Sequence, residues 1–266
     1  MLEVVVINLD QATERMAFQK KQLDALGIKF SRLSANAIDP KEYFEKYKST
    51  WERPLSLSEV SLFFNHKKIW QMIVEENKPM LILEDDAYLT DTTPTLLKEI
   101  EKLENVDYLN IEARGNNQKK IIANKAKCIV GNTSILRLYQ GRSGTGGYVL
   151  WPSGAKKLLD QVAKGKIGIV DKFINANYQL KAYQCEPAAL IQLDKCEHYG
   201  LTPPIETQSY IEAKSRSPVK PDEYWTYKLA RIKGQVKIAF NHLRHFSHST
   251  KRAIGVSEKS FPKIIM

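Results

Sequence analysis

Residues 80–86 read Met-Leu-Ile-Leu-Glu-Asp-Asp, a short apolar run that passes directly into three consecutive carboxylates. An apolar run of this length, preceded by Pro79, predicts a buried strand of a parallel sheet. In open α/β sheets, ligands bind beyond the carboxyl ends of the strands. The segment therefore predicts a central strand of an α/β fold and, at its end, the position of a binding site.

The sequence on both sides of this segment alternates between strand and helix patterns. Residues 4–9 predict a second buried strand, and residues 13–26 a helix that Gly27 ends. Ser56 and Glu59 have the spacing of a capping box that opens a long helix. Further strands are predicted at 28–33, 108–111, 135–139, 148–151, 181–185 and 188–192, and helices at 94–103 and 153–163. This alternation predicts an α/β class with a Rossmann-like mixed, mostly parallel sheet and flanking helices.

The chain divides into three parts by composition. Its 266 residues are 43% apolar and 26% charged, which suits a soluble α/β domain with an appendage. Four prolines fall between residues 203 and 221. We therefore predict a catalytic domain at 1–200, a linker-like segment at 201–223 and a basic helical tail at 224–266.

Charge and cysteine content restrict the kinds of partner and the cellular compartment that the protein can have. The formal net charge of +10 predicts an acidic partner, such as a nucleotide, a nucleic acid or an anionic membrane. Three cysteines without a CxxC pair favour a reducing compartment. The N-terminus lacks the basic region of a signal peptide, and no apolar run reaches the length of a membrane span. A cytoplasmic location is expected.

The tail has its own pattern. An apolar stripe at helical spacing is accompanied by seven basic residues and no acidic one between Tyr224 and Arg252. A basic amphipathic helix of this kind can lie on the anionic inner-membrane surface, which would place the protein peripherally on its cytoplasmic face. Packing on the catalytic domain and a dimer seam are the alternatives. The stripe comprises Trp225, Leu229, Ile232, Val236, Ala239, Leu243 and Phe246.

The acidic triplet Glu84-Asp85-Asp86 is the strongest chemical signal. Adjacent carboxylates repel one another, and hard cations such as Mn²⁺ or Mg²⁺ bind carboxylate oxygens and bridge to phosphates. A solvated acidic turn, or carboxylates that cap a short helix, would explain the same residues without a metal.

The order of several motifs resembles glycosyltransferase family 25, which includes bacterial lipopolysaccharide and lipooligosaccharide galactosyltransferases. The resemblance spans residues 3–192 and does not include the tail. The matching pieces are Val6-Ile7-Asn8-Leu9-Asp10 with Arg15, Ala37-Ile38-Asp39, Leu57-Ser58-Glu59, His66, Ile82–Asp86, Gly144–Tyr148, Gly154–Leu159 and Asp171.

This resemblance implies a GT-A-type fold, a UDP-sugar donor, a divalent metal and inversion at the anomeric carbon. Asp86, supported by Glu84, would hold the metal beside the leaving diphosphate. Inversion needs a carboxylate that takes the proton of the acceptor hydroxyl. Asp171 is our candidate for this base, with Glu59 or Glu84 as alternatives, although Asp171 can equally be the N-cap of a helix.

Other residues are expected near the donor. Asn8, Asp10 and Arg15 follow the first strand, where the resemblance places the uridine, although an exposed helical arginine is an alternative. Glu59 has a structural alternative in the capping box, and His66 fits a packed helical histidine. The remaining candidates for donor binding are Ala37, Asp39, Glu84, Asp85, Gly146 and Gly147.

The leading interpretation is an inverting transferase that moves a hexose, galactose first, from a UDP-sugar to a lipooligosaccharide acceptor. A basic nucleic-acid-binding protein is a different class, but the positive charge is concentrated in the tail. A nucleotidyltransferase would need a basic glycine-rich phosphate loop near the N-terminus, which this sequence lacks. A family member that binds sugar nucleotides without catalysis is the fourth possibility.

Overall fold

The computed structural model describes residues 2–35, 40–49, 51, 53–115, 118–165, 167–206 and 224–264. The helices are α1 (Thr13–Ala25), α2 (Pro40–Tyr47), α3 (Leu57–Glu76), α4 (Thr93–Ile100), α5 (Pro152–Ala163), α6 (Val170–Ala176) and α7 (Tyr224–His245). The strands are β1 (Glu3–Asn8), β2 (Ser31–Ser34), β3 (Met80–Glu84), β4 (Ala87–Leu89), β5 (Tyr108–Asn110), β6 (Lys120–Val130), β7 (Thr133–Gln140), β8 (Gly147–Leu150), β9 (Ala182–Glu186), β10 (Leu190–Gln192) and β11 (Ser249–Arg252). None of the helices in these ranges is long and apolar enough to cross a membrane.

The main sheet has the strand order β11-β6-β7-β9-β5-β8-β3-β1-β2, and β4 pairs separately with β10. Strands β1, β2, β3, β5, β6 and β9 run in one direction, and β7, β8 and β11 run in the other. The predicted α/β class is confirmed, with a mixed, mostly parallel sheet and flanking helices.

Side chains that alternate along the strands form a core on each face of the sheet. Val5 and Ile82 pack with the aromatic side chains of α3 on one face, whereas Val6 and Leu83 pack with α1 and α4 on the other. Every one of these four side chains is at most 1% exposed. The period of two in a strand therefore supplies both hydrophobic layers from one apolar run.

Helix α3 begins as the sequence predicts. The hydroxyl of Ser56 accepts a hydrogen bond from the backbone N–H of Glu59, and the Glu59 carboxylate accepts one from the backbone N–H of Ser56. The helix ends at Asn77, which has φ +51°. These reciprocal bonds satisfy backbone donors at the helix start and fix the direction of α3 across the sheet.

The last part of the chain differs from the predicted helical tail at 224–266. Residues 224–245 form α7 as expected, but Ser249–Arg252 form β11, which extends the main sheet by pairing with β6. Phe261 then packs on Tyr88, whose hydroxyl donates to the carbonyl of Pro262. Residues 249–264 therefore belong to the α/β domain, because their backbone completes its sheet and their apolar side chains enter its core.

Candidate active site

The candidate site side chains lie together at one edge of the sheet. Strands β1 and β3 are parallel neighbours and end together, with Ile7 opposite Glu84. Strand β8 is antiparallel to β3 and starts at Gly147 opposite Leu83, so the preceding loop lies at the same edge. The segment after β5 reaches this edge too, since Asn110 pairs with Tyr148. This is where a ligand site is expected in an open α/β sheet.

Asp85, the middle residue of the acidic triplet, is bound by the protein itself. Its Oδ1 accepts a hydrogen bond from Arg15 Nη1 at 3.0 Å, and its Oδ2 accepts one from Asn8 Nδ2 at 2.8 Å. Gln19 donates to the backbone carbonyls of Asp85 and Ala87. Asp85 therefore anchors the turn after β3 to β1 and α1, which leaves Glu84 and Asp86 to point elsewhere.

The residues after β1 form a second group of contacts. Arg32 donates to Asn8 Oδ1 at 2.8 Å and also pairs with Asp10, whose carboxylate accepts a hydrogen bond from Ser34 at 2.8 Å. The hydrogen bonds from Ser34 and Arg32 lower the pKa of Asp10. The structure thus joins Asn8, Asp10 and Arg15 in one network with Asp85 and Arg32. Their role in nucleotide binding stays a prediction, and Ala37 and Asp39 lie outside the described residues.

Glu84 and Asp86 share one partner, the side-chain amide of Gln192 at the end of β10. Gln192 Nε2 lies 3.4 Å from Glu84 Oε2 and 3.3 Å from Asp86 Oδ1. Burial and the charges of Glu84 and Asp85, against the opposing effect of Arg15, together raise the pKa of Asp86 to about 7. Two carboxylates are thus held together in a place that disfavours their joint ionisation.

This pair fits a divalent cation that also binds a substrate. A cation would stabilise both ionised carboxylates, and magnesium-type sites use one or two carboxylates together with substrate phosphates and water. Within the described ranges, no three His, Cys, Asp or Glu side chains converge to hold an ion by themselves. Glu84 and Asp86 would therefore hold a metal, with further ligands from the phosphates of a bound donor.

A second acidic group lies across the loop before β8. Glu112 is fully buried, and its Oε2 accepts a hydrogen bond from the backbone N–H of Gly146 at 2.9 Å. Arg114 Nε is 3.4 Å from Glu112 Oε1, and Arg114 Nη1 is 3.7 Å from Asp171 Oδ2. Burial is the main cause that raises the pKa of Glu112, and the nearby charges of Arg114 and Lys120 oppose it while those of Glu84 and Asp86 support it, so that the pKa is about 8.

Asp171 lies in the first turn of α6, but it does not cap that helix. The N-cap residue is Ile169, and the helix start has no side-chain cap. Asp171 Oδ1 is buried without a hydrogen-bond partner among the described residues, although the side chain as a whole is 22% exposed. The structure therefore excludes the capping alternative and leaves an accessible carboxylate beside Arg114.

The loop at 144–147 brings backbone close to the acidic groups. A Cβ on Gly144 would lie 2.5 Å from Glu112 Oε2, and one on Gly146 would lie 2.9 Å from Gln192 Cγ. Thr145 Oγ1 donates to Glu84 Oε1 at 2.5 Å. Gly147 instead packs under Leu190. Gly146 thus lines the site, whereas Gly147 is required by packing within the sheet.

Glu59 and His66 have structural partners. The Glu59 carboxylate closes the capping box and pairs with Arg53. His66 is fully buried, with Nδ1 2.9 Å from the Tyr148 hydroxyl and Nε2 3.8 Å from Glu84 Oε1. Glu59 lies two helical turns before His66, which is about 10 Å along the helix. Glu59 therefore has the structural role of capping α3. His66 packs in the core and also borders the acidic site.

Sequence reasoning missed four residues of this site. Glu112 and Arg114 follow the short strand β5, and Gln192 ends β10, so none of them lies near the acidic triplet along the chain. The fourth, Thr145, lies within the matching piece Gly144–Tyr148. Polar residues that follow short apolar runs were the available signal, since Glu112 comes shortly after β5 and Gln192 ends β10.

The sequence comparison places the chain in the glycosyltransferase class. The model of glycosyltransferase family 25, described as an LPS biosynthesis protein family, matches residues 1–174. The chain belongs to glycosyltransferase family 25.

Several animal proteins are similar to this chain in sequence. A glycosyltransferase 25 family member of Anopheles gambiae is 26% identical over 190 residues, covering 64% of this chain and 31% of that protein. Procollagen galactosyltransferase 2 of Homo sapiens is 25% identical, covering 69% and 30%, and procollagen galactosyltransferase 1-B of Xenopus laevis is 29% identical, covering 66% and 31%. The chain thus spans about a third of the length of these relatives.

Solved structures with a similar chain path include two glycosyltransferases. The apo form of mouse xyloside xylosyltransferase 1 has a TM-score of 0.33 and 13% identity, covering 65% of this chain and 80% of that one. The apo form of the glycosyltransferase GlyE from Streptococcus pneumoniae TIGR4 has a TM-score of 0.36 and 13% identity, covering 94% and 65%.

Proposed function

We propose that this chain transfers a hexose, most readily galactose, from a UDP-sugar to a lipooligosaccharide or lipopolysaccharide acceptor, with inversion and with a divalent metal. The observation that carries the proposal is that carboxylates lie on both sides of the loop at 144–146. Glu84 and Asp86 share Gln192 on one side, and Arg114 lies beside Asp171 on the other. Family membership supports the reaction class, and the names of the vertebrate relatives support galactose.

The donor diphosphate is assigned to the side that Glu84 and Asp86 form. Glu84 and Asp86 would hold a Mn²⁺ or Mg²⁺ ion there, and that ion would supply charge neutralisation for the departing phosphates. Gln192 orients the two carboxylates toward each other, and Asp85 keeps the turn in place through Arg15 and Asn8. Arg114 supplies a fixed positive charge at the opposite side of the same loop.

Asp171 is assigned as the general base. It takes the proton of the acceptor hydroxyl as that oxygen attacks the anomeric carbon from the face opposite the diphosphate. The bond from the anomeric carbon to the phosphate oxygen breaks, and UDP leaves with its negative charge. Among the alternatives, Glu59 is occupied by Arg53 and Glu84 by Thr145, whereas Asp171 Oδ1 is without a hydrogen-bond partner in the described residues.

Calorimetric titration of the purified chain with UDP, UDP-galactose, UDP-glucose and their N-acetyl forms tests the donor. We expect UDP to bind with Mn²⁺ and to lose its affinity in EDTA, with UDP-galactose the tightest of the sugars. Binding that is equally strong in EDTA would contradict the metal assignment. No binding of any nucleotide by the folded protein would contradict the donor assignment.

The acceptor is tested separately by radiolabelled transfer from UDP-galactose. Lipooligosaccharide core and a procollagen peptide are offered as alternatives, because the family description names LPS biosynthesis and the vertebrate relatives are named for procollagen. Label in the lipooligosaccharide alone is the expected result. Label in the peptide alone would transfer the acceptor assignment to protein.

A further inference from the structure

Helix α7 presents its apolar stripe to solvent instead of packing it on the domain. The stripe side chains Trp225, Leu229, Ile232, Val236 and Leu243 are between 50% and 74% exposed. Their spacing of three and four residues places them on one side of the helix. Phe240 and Phe246 extend this exposed apolar surface. A contiguous apolar surface of seven side chains that stays outside the core indicates a binding face.

The opposite side of α7 is the one that contacts the domain. Tyr227 is 7% exposed, and Asn241 Nδ2 donates to the carbonyl of Tyr139 on β7 at 2.9 Å. The ring of His245 stacks on that of Tyr139 with a centroid distance of 3.9 Å. The helix is therefore already packed, and packing on the catalytic domain does not explain the apolar stripe.

The charge around the stripe is positive throughout. Lys228, Lys233 and Arg244 are exposed on α7, and the sequence from Tyr224 to Arg252 has no acidic residue. Lys228 Nζ lies 4.8 Å from the centre of the Trp225 ring, so a cation borders the stripe directly. A second copy that met this face with its own stripe would bring like charges together, whereas an anionic bilayer supplies both hydrocarbon and negative charge.

A basic pocket lies beside the C-terminal end of the same helix. A cavity of about 550 Å³ is lined by β6, β7, β9 and the turn after α7, including Ser247 and His248. Lys125 and Lys127 are exposed at its wall, and Lys127 Nζ is 5.7 Å from the centre of the Tyr183 ring. Among the described residues that line it, none is acidic. Its size and charge suit the phosphate of a lipid headgroup.

We propose that α7 and this basic pocket form one membrane-docking surface, with the apolar stripe lying between the lipids and the pocket holding an anionic headgroup. This inference does not depend on the sugar transferred or on the metal. It goes beyond the amphipathic pattern of the tail, because it adds a headgroup site built from strands of the catalytic domain.

Vesicle co-sedimentation of the full chain tests the surface. Vesicles of phosphatidylcholine alone are compared with vesicles that contain phosphatidylglycerol. We expect sedimentation with the anionic vesicles and a loss of it at high salt. The variant Leu229→Ser/Val236→Ser/Leu243→Ser is expected to bind anionic vesicles at least tenfold more weakly, since interfacial binding scales with buried apolar area. Val74→Ser, a partly exposed valine on α3, is the matched control and is expected to bind normally.

The pocket is tested by Lys125→Gln/Lys127→Gln. Each lysine near an anionic surface contributes about a fivefold change in affinity, so binding is expected to weaken by roughly 25-fold. Lys21→Gln/Lys98→Gln removes the same charge from exposed positions on α1 and α4 and is expected to have a smaller effect. Equal weakening by both double variants would overturn the pocket and leave only non-specific charge attraction.

Two results would overturn the membrane inference as a whole. One is unchanged vesicle binding by the stripe variant. The other is a dimer of the wild type that the stripe variant converts to a monomer, which would assign the face to a second copy of the chain. Calorimetric UDP binding by each variant reports the donor site separately, so a failure of the membrane inference is distinguishable from a failure of the proposed function.

Discussion

Arg15 and Asp85 form an ion pair of 3.0 Å between α1 and the turn after β3, with side chains only 15% and 11% exposed. The central carboxylate of the acidic triplet is thereby used for structure. Its two neighbours, Glu84 and Asp86, instead share the side-chain amide of Gln192 and remain for chemistry. One sequence motif therefore combines an anchor and a candidate metal site.

Replacing Asp85 with asparagine tests the anchor. The variant loses the charge that Arg15 and Asn8 contact, and we expect the free energy of unfolding to fall by about 1.5–3 kcal/mol. The control is Asp24→Asn, which removes an exposed ion pair with Lys20 on the same helix and should cost less than about 1 kcal/mol. Urea denaturation measures both, and equal losses would show that the Asp85 contacts are no more than a surface pair.

Asp86→Asn should stabilise the ligand-free protein at alkaline pH. A carboxyl whose pKa is raised on folding costs stability once the pH exceeds its unfolded pKa of about 3.9, and the cost is complete above the folded pKa. For Asp86 that window extends from about 4 to about 7. The variant should therefore gain on the order of 4 kcal/mol at pH 8 and almost nothing at pH 4.

Urea denaturation across this pH range measures the gain, and calorimetry at pH 8 measures UDP binding with Mn²⁺. We expect the variant to be more stable than the wild type and yet to lose the metal-supported binding. Parallel stability curves for the two proteins would show that Asp86 ionises normally in the fold.

Asp171→Asn should separate binding from transfer. The amide keeps the size of the side chain but cannot accept the acceptor proton, so we expect the transfer rate to fall by about 10²–10⁴. Affinity for UDP-galactose should stay unchanged. Asp160→Asn, an exposed position on α5, is the matched control and should transfer at the normal rate. A normal rate for Asp171→Asn would remove Asp171 from the role of base.

Gly144→Ala should damage the site as well as the backbone. Gly144 has φ +104°, and a methyl group there would lie 2.5 Å from Glu112 Oε2 and 3.0 Å from Arg114 Cδ. Gly165 has φ +78° with open space around it. Gly165→Ala should therefore cost only the backbone strain, about 1–2 kcal/mol.

Denaturation and calorimetric UDP-galactose titration compare these two glycine variants. Gly144→Ala should lose more stability than Gly165→Ala and should also bind the donor more weakly. If both variants bind UDP-galactose like the wild type, the loop at 144–146 does not form a wall of the donor site.

The sequence predicted those features that depend on neighbouring residues. The capping box of Ser56 and Glu59 is local, and the structure confirms it with both hydrogen bonds. The apolar run before Glu84 likewise predicted a buried strand whose carboxyl end meets that of β1. Local hydrogen bonds and hydrophobic periodicity thus defined the centre of the fold.

Features that depend on distant contacts were not predictable in this way. Strand β6 was missed because the middle of its sequence, Asn124-Lys125-Ala126-Lys127, is polar and exposed and lacks an alternating pattern. Lys120, at its start, is buried because its Nζ donates to the Glu112 carbonyl and to Gln184. Gln192 joins Glu84 and Asp86 only because β10 pairs with β4. Such positions follow from topology, which a single sequence does not specify.

The attachment of α7 has a consequence for reach. Asn241 and His245 hold the helix against β7, and the chain then continues through β11 into the main sheet. A helix fixed in this manner moves together with the α/β domain and does not act as a flexible linker. On a bilayer it would hold Asp171 at a fixed distance from the membrane surface. Acceptors would then be selected by how far their free hydroxyl stands from the membrane, in addition to their sugar structure.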